Sequence, residues 1–389
     1  MTINISLQVL LAFACAALIA LSVTPIIRVF AYKIGAVDIP KDNRRMHKKP
    51  MPLLGGLAIF LGVTVAGFLF CEITPRLLAC WAGGLIIIVF GILDDKYALN
   101  PWVKLAGQIA AAAVVIPFGV RVEFIELFGR YIKFGVFTIP ITILWIVGMT
   151  NAINLIDGLD GLACGVSAIC SATLLIVALI HAEMPIAVIT AILTGACIGF
   201  LPFNFNPAKI FMGDTGALFL GYMLSVISVV GVFKMTAAVS FLIPIIIFGY
   251  PLFDTFFAFF RRILHGRSPF SADRGHLHHR MIDMGFNVRQ AVVILYCVCS
   301  ILGILAIMLS ERRMAASIVI LFAALCIGLL NYFLVSNKST RELTGFSEPE
   351  KRAEKSAAEP PKESAEPQPP EPSDSTEGQP APEIPTQDK

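Results

Sequence analysis

Long apolar runs separated by short polar segments dominate the chain, and this alternation restricts its fold more than any single motif does. A helix crossing a bilayer needs about 20 mainly apolar residues, with a range of about 17–25. Eleven stretches meet that requirement: 5–31, 53–71, 77–93, 102–120, 137–153, 161–181, 185–203, 214–232, 238–260, 290–310 and 314–335. At 57% hydrophobic residues and a mean hydropathy of +0.79, the chain is more apolar than a soluble protein. The expected fold is an all-α polytopic membrane protein of about 11 transmembrane helices. The first run lacks the basic segment that opens a signal peptide, because its first positive charge, Arg28, follows the apolar core. It therefore reads as a first span with the N-terminus outside. The nine cysteines lie almost all in apolar runs, without a C-x-x-C pair or zinc-like spacing to histidine, as small packing residues would.

Charge orients the spans. Loops on one side of the expected topology, with Lys338 and Arg341, hold 16 Lys and Arg; the opposite loops hold seven. The positive-inside rule assigns the richer side, and the C-terminus, to the cytoplasm. The acids sort as well. Within residues 1–335 all ten Asp fall on or near the cytoplasmic side, whereas the five Glu (72, 123, 126, 183, 311) fall outside. A short carboxylate is easier to hold rigidly beside a metal or phosphate, so an Asp-only face suggests a built site. Residues 336–389 carry 7 Lys and Arg against 12 Asp and Glu and include "EPPKESAEPQPPEPSDSTEGQP". That composition cannot bury enough apolar surface to offset chain entropy. The chain thus divides into a transmembrane domain, 1–335, and a disordered acidic cytoplasmic tail, 336–389.

Four polar constellations sit where spans meet the cytoplasm. In "GILDDKYALNPWVKLAGQ", Asp94 and Asp95 end the third span; Lys104 and Gln108, four apart, share a helix face. In "NAINLIDGLDGLACG", Asn151, Asn154, Asp157 and Asp160 lie among glycines that let the backbone approach a ligand. In "FNFNPAKIFMGDTGALFLGY", Asp214 opens a span, as an N-cap or as a metal ligand. In "SADRGHLHHRM", His276, His278 and His279 are flanked by Arg274 and Arg280. Such a run can bind zinc, but the arginines favour an anion such as a sugar phosphate. In "RRMHKKPMPLLGG" most basic residues suit topology or acidic lipid, and His47 looks more specific. Asp254 lies about two turns inside the ninth span behind Pro251, which suggests a kink. An acid at that depth is either functional or paired with a neighbouring helix.

Carboxylates for magnesium, cationic groups for phosphates and a location at the lipid–water boundary together favour phosphoryl-type transfer from a soluble nucleotide-linked donor to a lipid acceptor. The motifs "DDKYALN", "NAINLIDGLDGLA", "FNFNPAKIFMGDTGALFLG" and "RGHLHHRM", in this order, resemble the polyprenyl-phosphate N-acetylhexosamine-1-phosphate transferases over about residues 5–335. The "HLHHR" form resembles the branch that uses UDP-GlcNAc. The resemblance implies UDP-GlcNAc and undecaprenyl phosphate as substrates and Mg²⁺ as cofactor, with Mn²⁺ as a substitute. It implies a multi-pass protein of the bacterial cytoplasmic membrane whose active site faces the cytoplasm, supplying a cell-envelope polysaccharide pathway. Asp214 and Asn154 would be metal ligands, and Asp94 or Asp95 the base on the lipid phosphate. Asp157 would join these two as catalytic, in a nucleotide and metal region that includes Asp160. Lys104, Asn151, His47, His276, His278, His279 and Arg280 would bind substrate. The same chemistry on another UDP-sugar, such as a phospho-MurNAc-pentapeptide or GalNAc donor, is the near alternative. An ion-coupled transporter is the alternative from another class, and would hold its charges near the membrane midplane. No nucleic-acid partner is expected, and a homodimer is left open.

Overall fold

The first apolar run folds as one helix, α1 (Ile5–Ile34), and most of the later runs follow suit. The computed structural model describes residues 5–39, 50–127, 130–231, 242–264, 266 and 276–311. All belong to one compact unit, Met1–Ala323. After α1 come β1 (Val37–Asp38), β2 (Met51–Pro52), α2 (Gly56–Phe70), α3 (Pro75–Tyr97) and α4 (Pro101–Val115), which continues as a 3₁₀ turn, Ile116–Phe118. Then follow β3 (Phe124–Leu127), β4 (Arg130–Lys133), α5 (Thr138–Leu155), α6 (Leu162–Ile180), α7 (Met184–Asn204) and α8 (Gly213–Gly231). The remaining elements are α9 (Leu242–Ile247), α10 (Gly249–Leu264), α11 (Leu277–Asp283) and α12 (Val288–Ser310).

Local chemistry starts these helices where it should. Pro75 and Pro101 occupy first-turn positions that need no N–H donor. Thr74 and Asn100 cap the same helices by accepting from the amides of Leu77 and Trp102. Asn287 and Gln290 form a reciprocal capping box on α12. Inside the bundle, the hydroxyls of Thr24, Thr150, Thr173 and Thr190 donate to carbonyls one turn back. In an apolar surround a polar group must find its partner within the protein.

Among the described residues, eight helices are long and apolar enough to cross a membrane: α1, α3, α4 with its 3₁₀ turn, α5, α6, α7, α8 and α12. The expectation of eleven differs at two described runs, and a third falls outside the described residues. The second run, expected over 53–71, yields only the 15 residues of α2. Its first residues are spent otherwise: the amides of Gly55 and Gly56 donate to the carbonyls of Phe211 and Met212 ahead of α8. The ninth run, expected over 238–260, is divided between α9 and α10. Pro251 has no N–H to offer the carbonyl of Ile247 four residues back, and Cys170 Sγ donates to that carbonyl instead. The break falls just before Asp254, where proline predicts it. The eleventh run, 314–335, and the tail, 336–389, lie outside the described residues.

The spans are all helical, as expected, and two small antiparallel pairs accompany them. β1 pairs with β2, Val37 opposite Pro52, and β3 pairs with β4, Ile125 opposite Ile132. The helices α7 and α8 are the most enclosed of the spans. α1 packs on α7 and α2, α6 on α7 and α12, and α8 on α3 and α5. Among the described residues every cysteine is free, and five of them are buried.

Candidate active site

Ends of α3, α7 and α8, the turn between α5 and α6, and α11 converge on a cavity of about 810 Å³. Asp38, Asp94, Asp95, Asp157, Asp160, Asp214 and Asp283 line it, with Lys96 and His279 and without a single glutamate. Seven of the ten aspartates of residues 1–335 thus face one chamber. Asp38 and Asp283 escaped the reading of motifs, and the only signal that could have found them is this Asp-only bias.

The adjacent acids at the end of α3 have separate partners. Asp94 is buried: Oδ1 accepts from the amide of Leu99 at 2.8 Å, and Oδ2 is paired with the Lys104 ammonium. Asp95 instead reaches the start of α8. Its Oδ1 accepts from the Asp214 amide at 2.8 Å, while Oδ2 accepts from the Thr215 amide at 3.1 Å and the Thr215 hydroxyl at 2.6 Å. Asp95 therefore supplies, from another helix, acceptors for the first amides of α8, the role that the N-cap reading gave to Asp214. Two glycines allow the approach. A side chain at Gly91 would collide with the Thr215 backbone, and one at Gly213, whose φ is +72°, with the Asp95 carboxylate.

Asp214, so placed, faces Lys104 and Asn154. Lys104 Nζ lies 2.8 Å from Asp214 Oδ2, and Asn154 Nδ2 donates to Oδ1 at 2.6 Å. One turn along α4 from Lys104, Gln108 exchanges hydrogen bonds with Asn151 of α5 at 2.6 and 3.3 Å. Lys104 thus sits between two carboxylates, and Gln108 locks Asn151.

Asp157 sits in the cavity wall between α5 and α6, largely enclosed. Burial first, and then the carboxylates of Asp214, Asp95 and Asp160, push it well above the usual carboxylate range. Asp160 serves the neighbouring loop: its Oδ2 accepts from Asn206 Nδ2 at 2.9 Å and from the Ala208 amide at 3.1 Å. Arg289 of α12 donates to the Asn206 carbonyl, and Tyr296 of the same helix to the Gly161 carbonyl.

Of the histidine motif, only His279 lines the cavity. His276 and His278 are buried behind it, and Arg280 is exposed and not part of the lining. Burial, then His279, pulls His278 down to about 3, so it is neutral at pH 7. His47 lies outside the described residues.

A ring of seven aspartates requires compensating positive charge. No three of the described His, Cys, Asp or Glu side chains form a ready-made metal cage. Magnesium does not need one, because it keeps several waters and takes one or two carboxylates beside substrate phosphates. The oxygens of Asp94, Asp157 and Asp214 are the hard donors that it prefers. Lys104 already holds a positive charge between two of them. The residues present therefore fit the ion.

The profile of glycosyl transferase family 4 matches residues 77–232, which span α3 to α8. The chain is 45% identical over 321 residues to a probable undecaprenyl-phosphate N-acetylglucosaminyl 1-phosphate transferase of Bacillus subtilis, covering 81% of this chain and 89% of the relative. It is 37% identical to a decaprenyl-phosphate N-acetylglucosaminephosphotransferase of Mycolicibacterium smegmatis, over 72% of this chain and 77% of that one. With an undecaprenyl-phosphate alpha-N-acetylglucosaminyl 1-phosphate transferase of Thermotoga maritima it shares 35% identity, over 68% and 78%.

Proposed function

The chain belongs to glycosyl transferase family 4, and on that premise we propose that it transfers GlcNAc-1-phosphate from UDP-GlcNAc to undecaprenyl phosphate. A phosphate oxygen of the lipid forms a bond to the sugar-linked phosphorus, and the diphosphate bond to UMP breaks. The products are undecaprenyl-pyrophosphate-GlcNAc and UMP. The observation that carries this reading is the Asp-lined cavity at one set of helix ends, two of whose lining acids, Asp94 and Asp214, are paired with Lys104. A carrier would need its charges at midplane on broken helices.

The acceptor needs little help to become nucleophilic. A phosphate monoester has a second pKa near ~6, so it is mostly dianionic at pH 7. The obstacle is bringing that dianion against a diphosphate, an electrostatic problem. Lys104 supplies one positive charge. Asp214 and Asn154 would hold Mg²⁺, with Asp94 and Asp157 close by. Bound there, the ion supplies charge against the phosphate oxygens and the leaving UMP. Both oxygens of Asp95 are committed to α8, and those of Asp94 to Leu99 and Lys104. That commitment supports direct in-line attack over a covalent aspartyl-phosphate, and a positioning role for Asp95.

The membrane assignment follows the same reading. The eight spans, with α2, the α9–α10 pair and residues 314–335, make eleven. The positive-inside rule then puts the N-terminus outside and the cavity on the cytoplasmic face of the bacterial inner membrane. The test is UMP release by purified protein given UDP-GlcNAc, undecaprenyl phosphate and Mg²⁺. Release is expected only with all three, and its absence with every nucleotide sugar tried would end the enzyme reading.

A further inference from the structure

The role of Asp254, an acid in the apolar first half of α10, is left open by the chemistry above. Asp254 is buried in α10, and its two oxygens have distinct partners on the far side of the 265–275 segment. Oδ2 lies 2.9 Å from His276 Nδ1, and Oδ1 accepts from the Leu277 amide at 2.8 Å. The acid thus fixes both the side chain and the backbone at the first turn of α11. Because a carboxylate accepts, the His276 proton is on Nδ1, and that bond sets the tautomer and the orientation of the ring.

From His276 a stack of imidazoles leads to the cavity. The rings of His276 and His278 are 5.7 Å apart and 16° from parallel; those of His278 and His279 are 4.3 Å apart. His278 is fully buried, neither ring nitrogen has a hydrogen-bond partner among the described residues, and Nε2 lies against the backbone of Gly158, beside Asp157. With no polar bond of its own, His278 is held by its neighbours. The Asp254–His276 pair anchors the stack at the end away from the cavity.

We propose that Asp254 is a positioning residue for the reaction: acting through His276, it sets the pose of the imidazole stack that presents His279 to the cavity and packs against the Asp157 turn. This rests on the transferase reading above. Asp254 touches no reacting atom, and a pair so buried offsets the cost of placing an acid in a membrane helix.

A double-mutant cycle of Asp254→Asn and His276→Ala tests it, with UMP release and ¹⁵N-histidine NMR as independent readouts. Asparagine keeps the size and can still accept from Leu277, so the fold is retained. Each single variant is expected to lower kcat/KM for UDP-GlcNAc at least about tenfold, with KM for undecaprenyl phosphate within about twofold of wild type. The double variant should lose no more than the worse single one, because both act through one couple. The wild-type spectrum should show His276 protonated at Nδ1, and Asp254→Asn should lose that signature. Multiplicative losses, or full activity in either single variant, would overturn the inference. Should Asp254→Asn not fold, His276→Ala alone decides by the same criterion. If the wild type releases no UMP, the transferase reading fails, while the NMR comparison still judges the Asp254–His276 couple.

Discussion

Asp95 and Thr215, 120 residues apart in sequence, are joined by two hydrogen bonds to one carboxylate oxygen, from the Thr215 amide and from its hydroxyl. This tie commits Asp95 to α8, while its neighbour Asp94 is held by Leu99 and Lys104. Asp95→Ala should leave two amides at the start of α8 without acceptors, at about 1–3 kcal/mol each. It should also displace Asp214, lowering turnover by on the order of a hundredfold. Thermal unfolding in detergent and UMP release should fall together; an inactive variant with wild-type stability would contradict the assignment.

Asp214 is the carboxylate that Lys104 and Asn154 both address. Asp214→Ala is expected to reduce turnover below about 1% of wild type, and excess Mg²⁺ should not restore it. Wild-type protein should stop on chelation and recover on addition of Mg²⁺. Activity that survives exhaustive chelation would remove the metal from the mechanism.

The pairing of Asp94 with Lys104 and Leu99 leads to a kinetic signature. Since the acceptor is already dianionic above about pH 6, Asp94→Asn should show a near-constant rate defect from about pH 6 to about pH 9. A defect that shrinks as pH rises would mark Asp94 as the base after all.

Two groups near the cavity should leave opposite marks on stability against pH. Asp157 holds its proton far above 3.8 in the folded protein, through burial and then the surrounding carboxylates. Its contribution is therefore lost as pH rises through the folded value. Metal-free Asp157→Asn should unfold at a higher Tm than wild type, by a margin that widens toward alkaline pH. His278 behaves in reverse. Its pKa falls from 6.5 to about 3, so the unfolded chain takes up the proton first as pH drops between those values, and stability declines. His278→Leu should flatten that acid limb of Tm against pH; an unchanged limb would show that other groups carry it.

Much of this was legible because its causes are local. Run length and proline or Asn/Thr starts mark α3, α4, α5, α6, α7, α8 and α12 to within a few residues. Pro251 marks the break before Asp254, and the spacing of Lys104 and Gln108 marks their common face. What sequence alone did not reveal depends on helices distant in the chain. Nothing near Asp95 says that it will cap α8, because the capped amides lie more than a hundred residues away. Nothing near Asp254 names His276. The second run shortened for the same reason: Gly55 and Gly56 bond to the 211–212 backbone, a partner invisible to any local window.

The hold of Asp160 on Asn206 and Ala208 has a consequence for exchange between relatives. The turn after α5 and the connection before α8 meet in one carboxylate oxygen, so they form a single inheritable module despite the whole of α6 and α7 between them. A chimera that swaps either loop alone severs the link, whereas transplanting both carries the cavity wall across intact. Loop grafts intended to change donor preference should therefore be made in pairs.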